Sequence, residues 1–274
     1  MTSYYSAGGI YSTSNDLAKL GSAILKNTLL SPAQTRRWMK PVTHTSSLKS
    51  SVGAPWEIYR VETSRGIVDL YTKSGGIGVY SSLLVLVPDY DFGWVILSAA
   101  DNVGTSVIGM YTLADSISGV FLPAVEAVAK DEATAVFAGT YNATNGLNSS
   151  IVIVTDEFPG LGIQRWISNG TDLFDVYLSL NGFTSAQRSI SARLYPTNLL
   201  QTSPKQQAFR AVLEILPLST TIKGTFAPCV SWGSVDSILY GNIAIDEFLF
   251  QFDEYGYAVS IEPRALRVTL QKDQ

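Results

Sequence analysis

Tyr71-Thr72-Lys73-Ser74-Gly75-Gly76, continuing through Ile77-Gly78-Val79-Tyr80-Ser81-Ser82 into Leu83-Leu84-Val85-Leu86-Val87-Pro88-Asp89, is the stretch on which the reading of this chain turns. Its first part predicts a strand, Val68 to Lys73, that enters a glycine-rich turn; its last part predicts an apolar strand, Tyr80 to Pro88. Leu83 to Val87 is apolar at every position, the pattern of a strand covered on both faces. Strands Trp56 to Glu62 and Trp94 to Ala99 flank this pair, with Pro88-Asp89-Tyr90-Asp91-Phe92-Gly93 as the turn into the second. Links this short between successive strands favour an antiparallel sheet.

Working outward, helices bracket the sheet. Thr13 and Asp16 stand in capping-box spacing, and Leu17, Leu20, Ile24, Leu25 and Leu29 follow on one face of a 3.6-residue period. Ser31-Pro32 opens a short second helix that carries Trp38 and Met39 and stops before Pro41. A long, largely apolar core helix is expected between Asn102 and Val120. Pro123 and the cluster Lys130-Asp131-Glu132 then break the pattern and mark a boundary, dividing the chain into residues 1–125 and 126–274. Beyond it short β-branched and aromatic runs predict strands at Ile151 to Thr155, Asp175 to Leu180, Ser191 to Tyr195, Ala208 to Ile215, Ile243 to Phe252 and Leu266 to Gln271. Turns at Asn181-Gly182, Pro196-Thr197-Asn198 and Glu254-Tyr255-Gly256 separate them, which suits a closed barrel or a sandwich. The fold class is therefore α+β: a sheet with helices, followed by an all-β barrel-like domain.

Composition narrows the function. The 274 residues are 46% hydrophobic and 15% charged with net charge −4, which excludes disorder for the bulk of the chain. The 19 Lys and Arg are scattered along the chain, Arg36-Arg37 being one adjacent pair, and leave no electrostatic footprint for nucleic acid. No apolar run approaches the roughly 20 residues of a membrane span, so none is expected. One cysteine, Cys229, excludes an internal disulfide framework and a Cys-rich zinc site, and one histidine, His44, leaves little scope for a His-centred metal site. Neither metal nor cofactor is expected.

The Lys73-Ser74-Gly75-Gly76 stretch, preceded by Tyr5-Ser6-Ala7-Gly8-Gly9-Ile10-Tyr11-Ser12-Thr13-Ser14-Asn15-Asp16-Leu17-Ala18-Lys19, resembles the serine β-lactamase and penicillin-binding-protein superfamily, in its class C-like branch of fungal β-lactamase-like hydrolases. The resemblance covers roughly residues 5 to 120, and the part holding Cys229-Val230-Ser231-Trp232 and Phe248 to Phe252 looks like the C-terminal domain of fungal members. It implies acyl transfer on a lactam, ester or peptide carbonyl, with a small-molecule or peptide substrate in a full-length parent. Lys73 and Ser74 would bind substrate, and glycines 75 and 76 would let the backbone approach the carbonyl closely. The resemblance makes the Gly76 N–H an oxyanion-hole donor, and such a donor is worth about 10²–10³ in rate.

The family also needs a serine nucleophile in S-x-x-K and a Y-x-N element, both ahead of the A-G-G segment. Only four residues precede Tyr5, so neither has room and no catalytic residue is assigned. The one S-x-x-K string, Ser46-Ser47-Leu48-Lys49, lies in a polar stretch between the two motifs. His44 sits in a hydrophilic loop without a G-x-S-x-G elbow, and Cys229 has no adjacent base. Two readings stay open: a fragment of a β-lactamase-like hydrolase that is inactive alone, or a non-catalytic module that binds a ligand or partner. The start Met1-Thr2-Ser3-Tyr4-Tyr5 has no signal-peptide features, yet sequons at Asn142, Asn148 and Asn169 suit a glycosylated, secreted surface. If the sheet lacks one covering layer, its apolar surface, with mean hydropathy +0.16 for the chain, predicts self-association.

Overall fold

The computed structural model describes residues 8–63, 66–197, 203, 205–217 and 230–273, and the chain divides into two compact units, Met1–Ala129 and Lys130–Gln274. The first is built on six strands, β1 (Thr43–His44), β2 (Ser50–Val52), β3 (Glu57–Thr63), β4 (Gly66–Ile77), β5 (Tyr80–Val87) and β6 (Phe92–Ala99). They pair in chain order, every pair antiparallel. Helices α1 (Ser14–Leu25), α2 (Pro32–Trp38) and α3 (Val103–Phe137) cover this sheet.

The two-sided apolarity of β5 is realised by its alternation. Leu83, Val85 and Val87 pack with Val68, Leu70, Ile96 and the α3 residues Met110, Ala114 and Leu122. Leu86 and half-buried Leu84 belong to a different cluster with Met39, Trp56, Ile58, Ile24 and Leu25. A pleated strand sends neighbouring side chains to opposite faces, so one strand serves two cores.

Helix α1 starts where Thr13 predicts: its hydroxyl accepts the Asp16 N–H at 3.2 Å. Ser31 and Gln34 cap α2 reciprocally, with Pro32 in the first turn. The fully buried residue of α1 is Gly21, where an added Cβ would lie 3.0 Å from Leu86 Cδ2; of the apolar stripe, Ile24 and Leu25 pack half-buried on the same core. Leu29 falls outside the helix and is 74% exposed.

Two expectations are corrected here. Strand β4 does not stop at Lys73; it runs straight through Ser74, Gly75 and Gly76 to Ile77, and the turn is Gly78-Val79, with Gly78 at φ +55°. Glycine 75 serves close packing rather than turning, since a Cβ there would lie 2.7 Å from Ser82 Oγ. Helix α3 does not end at Val120 either. It continues through Pro123 to Phe137, and the division between the units falls within it. Proline lacks the N–H that would bond the Gly119 carbonyl, a local loss that the turns on either side tolerate. By length and composition α3 is a helix apolar enough to cross a membrane, its most apolar 18-residue window having mean hydropathy 1.3 and 17% burial. No apolar run within it is long, since Gly, Ser, Thr and Pro and the charges of Asp115, Glu126 and Lys130 divide the segment.

The second unit contains β7 (Gly139–Ala143), β8 (Ser150–Val154), β9 (Leu161–Ser168), β10 (Thr171–Asp172), α4 (Leu173–Leu180), β11 (Arg188–Thr197), β12 (Gln206–Pro217), α5 (Val230–Gly233), β13 (Leu239–Tyr240), β14 (Ile243–Ala244), β15 (Glu247–Phe252), β16 (Ala258–Pro263) and β17 (Leu270–Lys272). Strands β9-β11-β12-β15-β16-β17-β7-β8 form a continuous ladder, and the pairing of β8 with β9 closes it into an eight-stranded antiparallel barrel. Closure leaves the barrel no sheet edge. Its interior holds Tyr141, Ile151, Ile153, Trp166, Leu194, Phe209, Phe248, Phe250 and Ile261, with Phe137 edge-on to Phe250 at 5.1 Å.

Three predicted strands differ. Asp175 to Leu180 is helical: Asp172 caps α4 by accepting the Phe174 N–H at 2.8 Å, and Leu173, Phe174 and Tyr177 pack on the core at helical spacing. The run Ile243 to Phe252 is broken at Ile245-Asp246, where the buried Asp246 carboxylate accepts from Arg210 at 2.8 Å and from the Asp236 N–H at 2.7 Å. Residues 264–266 form a 3₁₀ turn, so the last strand begins only at Leu270.

Candidate active-site edge

Strand β3 begins at Glu57, opposite Thr72, while β4 continues five residues further, Lys73 to Ile77. On its far side this extension stays paired to β5, Lys73 with Leu84 and Ile77 with Tyr80. On its near side it pairs with no strand among the described residues. Antiparallel backbone groups alternate in direction along a strand. The Ser74 N–H points to the near side, donating to Glu57 Oε2 at 3.1 Å, so the Gly76 N–H two residues on points the same way. The sheet thus presents Lys73, Ser74 and a backbone donor along one edge. A Cβ on Gly8 would lie 3.0 Å from Ile77 Cδ1, which brings the second glycine-rich segment to the end of the same strand. Ala7 lies outside the described residues.

Glu57 is the residue that sequence reasoning missed. Its Oε1 accepts from Lys73 Nζ at 2.6 Å and from the Ser74 hydroxyl at 3.0 Å, while Oε2 takes the Ser74 N–H. Burial by itself would raise the Glu57 pKa, but the bonds from Lys73 and Ser74, with the lysine's charge, outweigh it and hold the carboxyl below its ordinary value. Lys73 Nζ also donates to the Ser74 carbonyl at 2.9 Å. Beneath them the buried Thr72 hydroxyl donates to the Glu57 carbonyl at 2.7 Å and ties β3 to β4 at the point where the two part. Glu57 carries no motif of its own; only the strand register joins it to a lysine sixteen residues later.

The other candidates stand apart from this edge. Ser46 and Lys49 lie in the loop joining β1 to β2, not one turn apart on a helix. His44 is exposed on β1 with its Nδ1 2.9 Å from the Ser51 hydroxyl, and Ser51 is itself buried, so this pair offers no accessible nucleophile. The one Tyr-x-Asn string, Tyr240-Gly241-Asn242, forms the turn of the β13–β14 hairpin in the second unit. Cys229 lies outside the described residues. Of the sequon asparagines, Asn148 and Asn169 are exposed, whereas the Asn142 amide donates to both carboxylate oxygens of Asp273, at 2.8 and 2.9 Å.

An antiparallel sheet covered by helices on both faces, with a lysine–serine–glycine strand along an edge left open among the described residues, defines the first unit; a closed eight-stranded barrel defines the second. The family described as "Beta-lactamase" matches residues 1–117, and that described as "Beta-lactamase-like-like, C-terminal domain" matches residues 129–274. The chain belongs to the beta-lactamase-like hydrolase family.

Curated relatives agree. The chain is 30% identical to a "Beta-lactamase-like protein" of Arthroderma benhamiae, over 95% of this chain and 48% of that protein. It is 29% identical to "Probable hydrolase clz13" of Cochliobolus lunatus, over 61% of this chain and 27% of that one. With "Beta-lactamase-like protein str6" of Strobilurus tenacellus it shares 28% identity over 84% of this chain and 72% of the relative. The chain therefore spans about half the length of the Arthroderma protein, and less of the Cochliobolus one.

Proposed function

We propose that this chain carries the substrate-facing strand of an acyl-transfer serine hydrolase acting on a lactam, ester or peptide carbonyl through an acyl-serine intermediate. The observation that carries the reading is the β4 edge, where Lys73, Ser74 and the outward Gly76 N–H lie along a side that no strand pairs among the described residues. A carbonyl oxygen laid against that edge meets the Gly76 N–H, a donor suited to the negative charge of a tetrahedral intermediate. Free of a Cβ, Gly76 leaves room for such an approach, its nearest non-neighbouring atom to that position being Tyr80 O at 3.6 Å. In this reading the attacking serine and its activating lysine belong to a further segment of a longer protein, and the chain alone does not turn over substrate. The same reading assigns the protein to the secretory pathway, supported by exposed Asn148 and Asn169.

A second reading, a non-catalytic binding module, draws support from the Lys73–Glu57 pair, since the lysine's charge already has an internal partner. Covalent labelling separates the two. A longer form carrying an S-x-x-K segment should react with a fluorophosphonate or a chromogenic β-lactam, and Lys73→Ala should slow that reaction. The present chain should show no turnover above its own Lys73→Ala variant. Turnover by the present chain that disappears on mutating Ser46 or Lys49 would overturn the proposal.

A further inference from the structure

Three donors of the motif strand, the Lys73 ammonium, the Ser74 hydroxyl and the Ser74 N–H, converge on one carboxylate, and that carboxylate is the chain's own Glu57. Such convergence is how proteins hold a bound carboxylate, with each charge-assisted bond stronger than a neutral one. The acidic group is not a loose surface side chain. Its backbone carbonyl is pinned by buried Thr72, and its residue is paired in register with Thr72 on β4. An acyl donor bearing its own carboxylate would have to expel Glu57 from all three donors, or bind beside it with two negative charges sharing one lysine. Like charges that close destabilise one another. A neutral acyl donor meets no such conflict, because the Gly76 N–H is not among the donors that Glu57 engages.

We infer that Glu57 is a specificity-determining residue that fills the carboxylate position of the K-S-G edge, so that the site selects uncharged acyl compounds, esters or lactones, over carboxylate-bearing ones. The inference rests on the acyl-site reading above and adds the substrate class. The test uses the full chain, ¹⁵N-labelled, titrated with phenylacetylglycine as the anion and with its methyl ester as the neutral counterpart, following the backbone amides of Ser74 and Gly76. In the wild type the ester should shift Gly76 saturably, with the anion weaker by about tenfold or more, the scale of one charge-assisted contact. The isosteric Glu57→Gln should bring the anion to at least the affinity of the ester, and adding Lys73→Ala to it should abolish that gain. A Glu57→Gln protein that merely unfolds is recognised by loss of the dispersed amide spectrum; Glu57→Asp, which shortens the reach to Lys73 but keeps the charge, should then weaken the anion's exclusion only partly. If the wild type binds anion and ester equally, or if the anion-to-ester ratio is the same in wild type and variants, the role of Glu57 is overturned while the acyl site stands. If neither probe moves the Gly76 amide in any variant, the acyl-site reading itself fails.

Discussion

Gly93→Ala should destabilise the first unit although it adds one methyl group. Gly93 sits on β6 directly opposite Leu86 of β5, and an added Cβ would lie 2.6 Å from the Val85 carbonyl oxygen and 3.1 Å from Leu86 Cδ2. The first of these is backbone in a strand paired on its other side to β4, Leu86 facing Tyr71, so it cannot step aside without disturbing the ladder that carries Lys73 and Ser74. Overpacking of this kind costs about 1–3 kcal/mol. Restricting the unfolded chain returns about 0.4–1 kcal/mol. The net expectation is a loss of about 1–2 kcal/mol, which at a typical urea slope moves the midpoint down by roughly 0.5–1 M. Gly76→Ala is the control: it lies on β4 of the same sheet, its Cβ would meet nothing nearer than 3.6 Å, and its stability should stay within about 0.5 kcal/mol of wild type. Urea unfolding read by tryptophan fluorescence reports directly, since Trp94 adjoins the mutation and Trp56 is buried in the same unit. A Gly93→Ala protein as stable as wild type, or more stable than Gly76→Ala, would refute the steric reasoning.

Two further outcomes follow from the barrel unit. Arg193 donates from Nη2 to both oxygens of Asp156, at 2.8 and 2.7 Å; burial alone would raise the Asp156 pKa, but this pairing outweighs it and lowers it, so the pair's contribution is complete at neutral pH and is lost as pH falls through the depressed folded value, below the usual carboxylate range. Because Asp156 is 40% exposed, Asp156→Asn should remove no more than about 1 kcal/mol at pH 7 and nothing at pH 2, as read by paired thermal melts; equal losses at both pH values would contradict the assignment. When the chain is secreted from a eukaryotic host, glycopeptide mass spectrometry should find Asn148 and Asn169 occupied in preference to Asn142, whose amide is held by Asp273, and a glycan confined to Asn142 would contradict the surface reading.

Much of the layout was legible because it is written in near neighbours. Thr13 with Asp16, and Ser31 with Gln34, cap helices across three residues, and Leu83 to Val87 declares a two-faced strand by its own composition. The K-S-G motif is equally local, and it led to the family. Where local signals competed, the reading failed: Leu173 to Leu180 is as apolar as a strand, and only the Asp172 cap and its seat on the barrel core make it a helix. Glycines 75 and 76 look like a turn until the partner strand is known, because what Gly75 makes room for, Ser82 across the ladder, is absent from its own segment.

Barrel closure and the Glu57 partner of the K-S-G edge belong to tertiary structure alone. The pairing of β8 with β9 shuts the barrel by joining strands that each already have another neighbour, a condition no single segment encodes. Glu57 reaches Lys73 and Ser74 because β3 starts at Glu57 while β4 runs on past Thr72, so its carboxylate turns onto donors that no β3 residue faces. Residue types and their short-range spacing determined which elements form and which motif this protein carries. Only the register of strands distant in sequence decided which charge neutralises that motif, because the Coulomb and hydrogen-bond terms at the site depend on separations in space of a few ångströms.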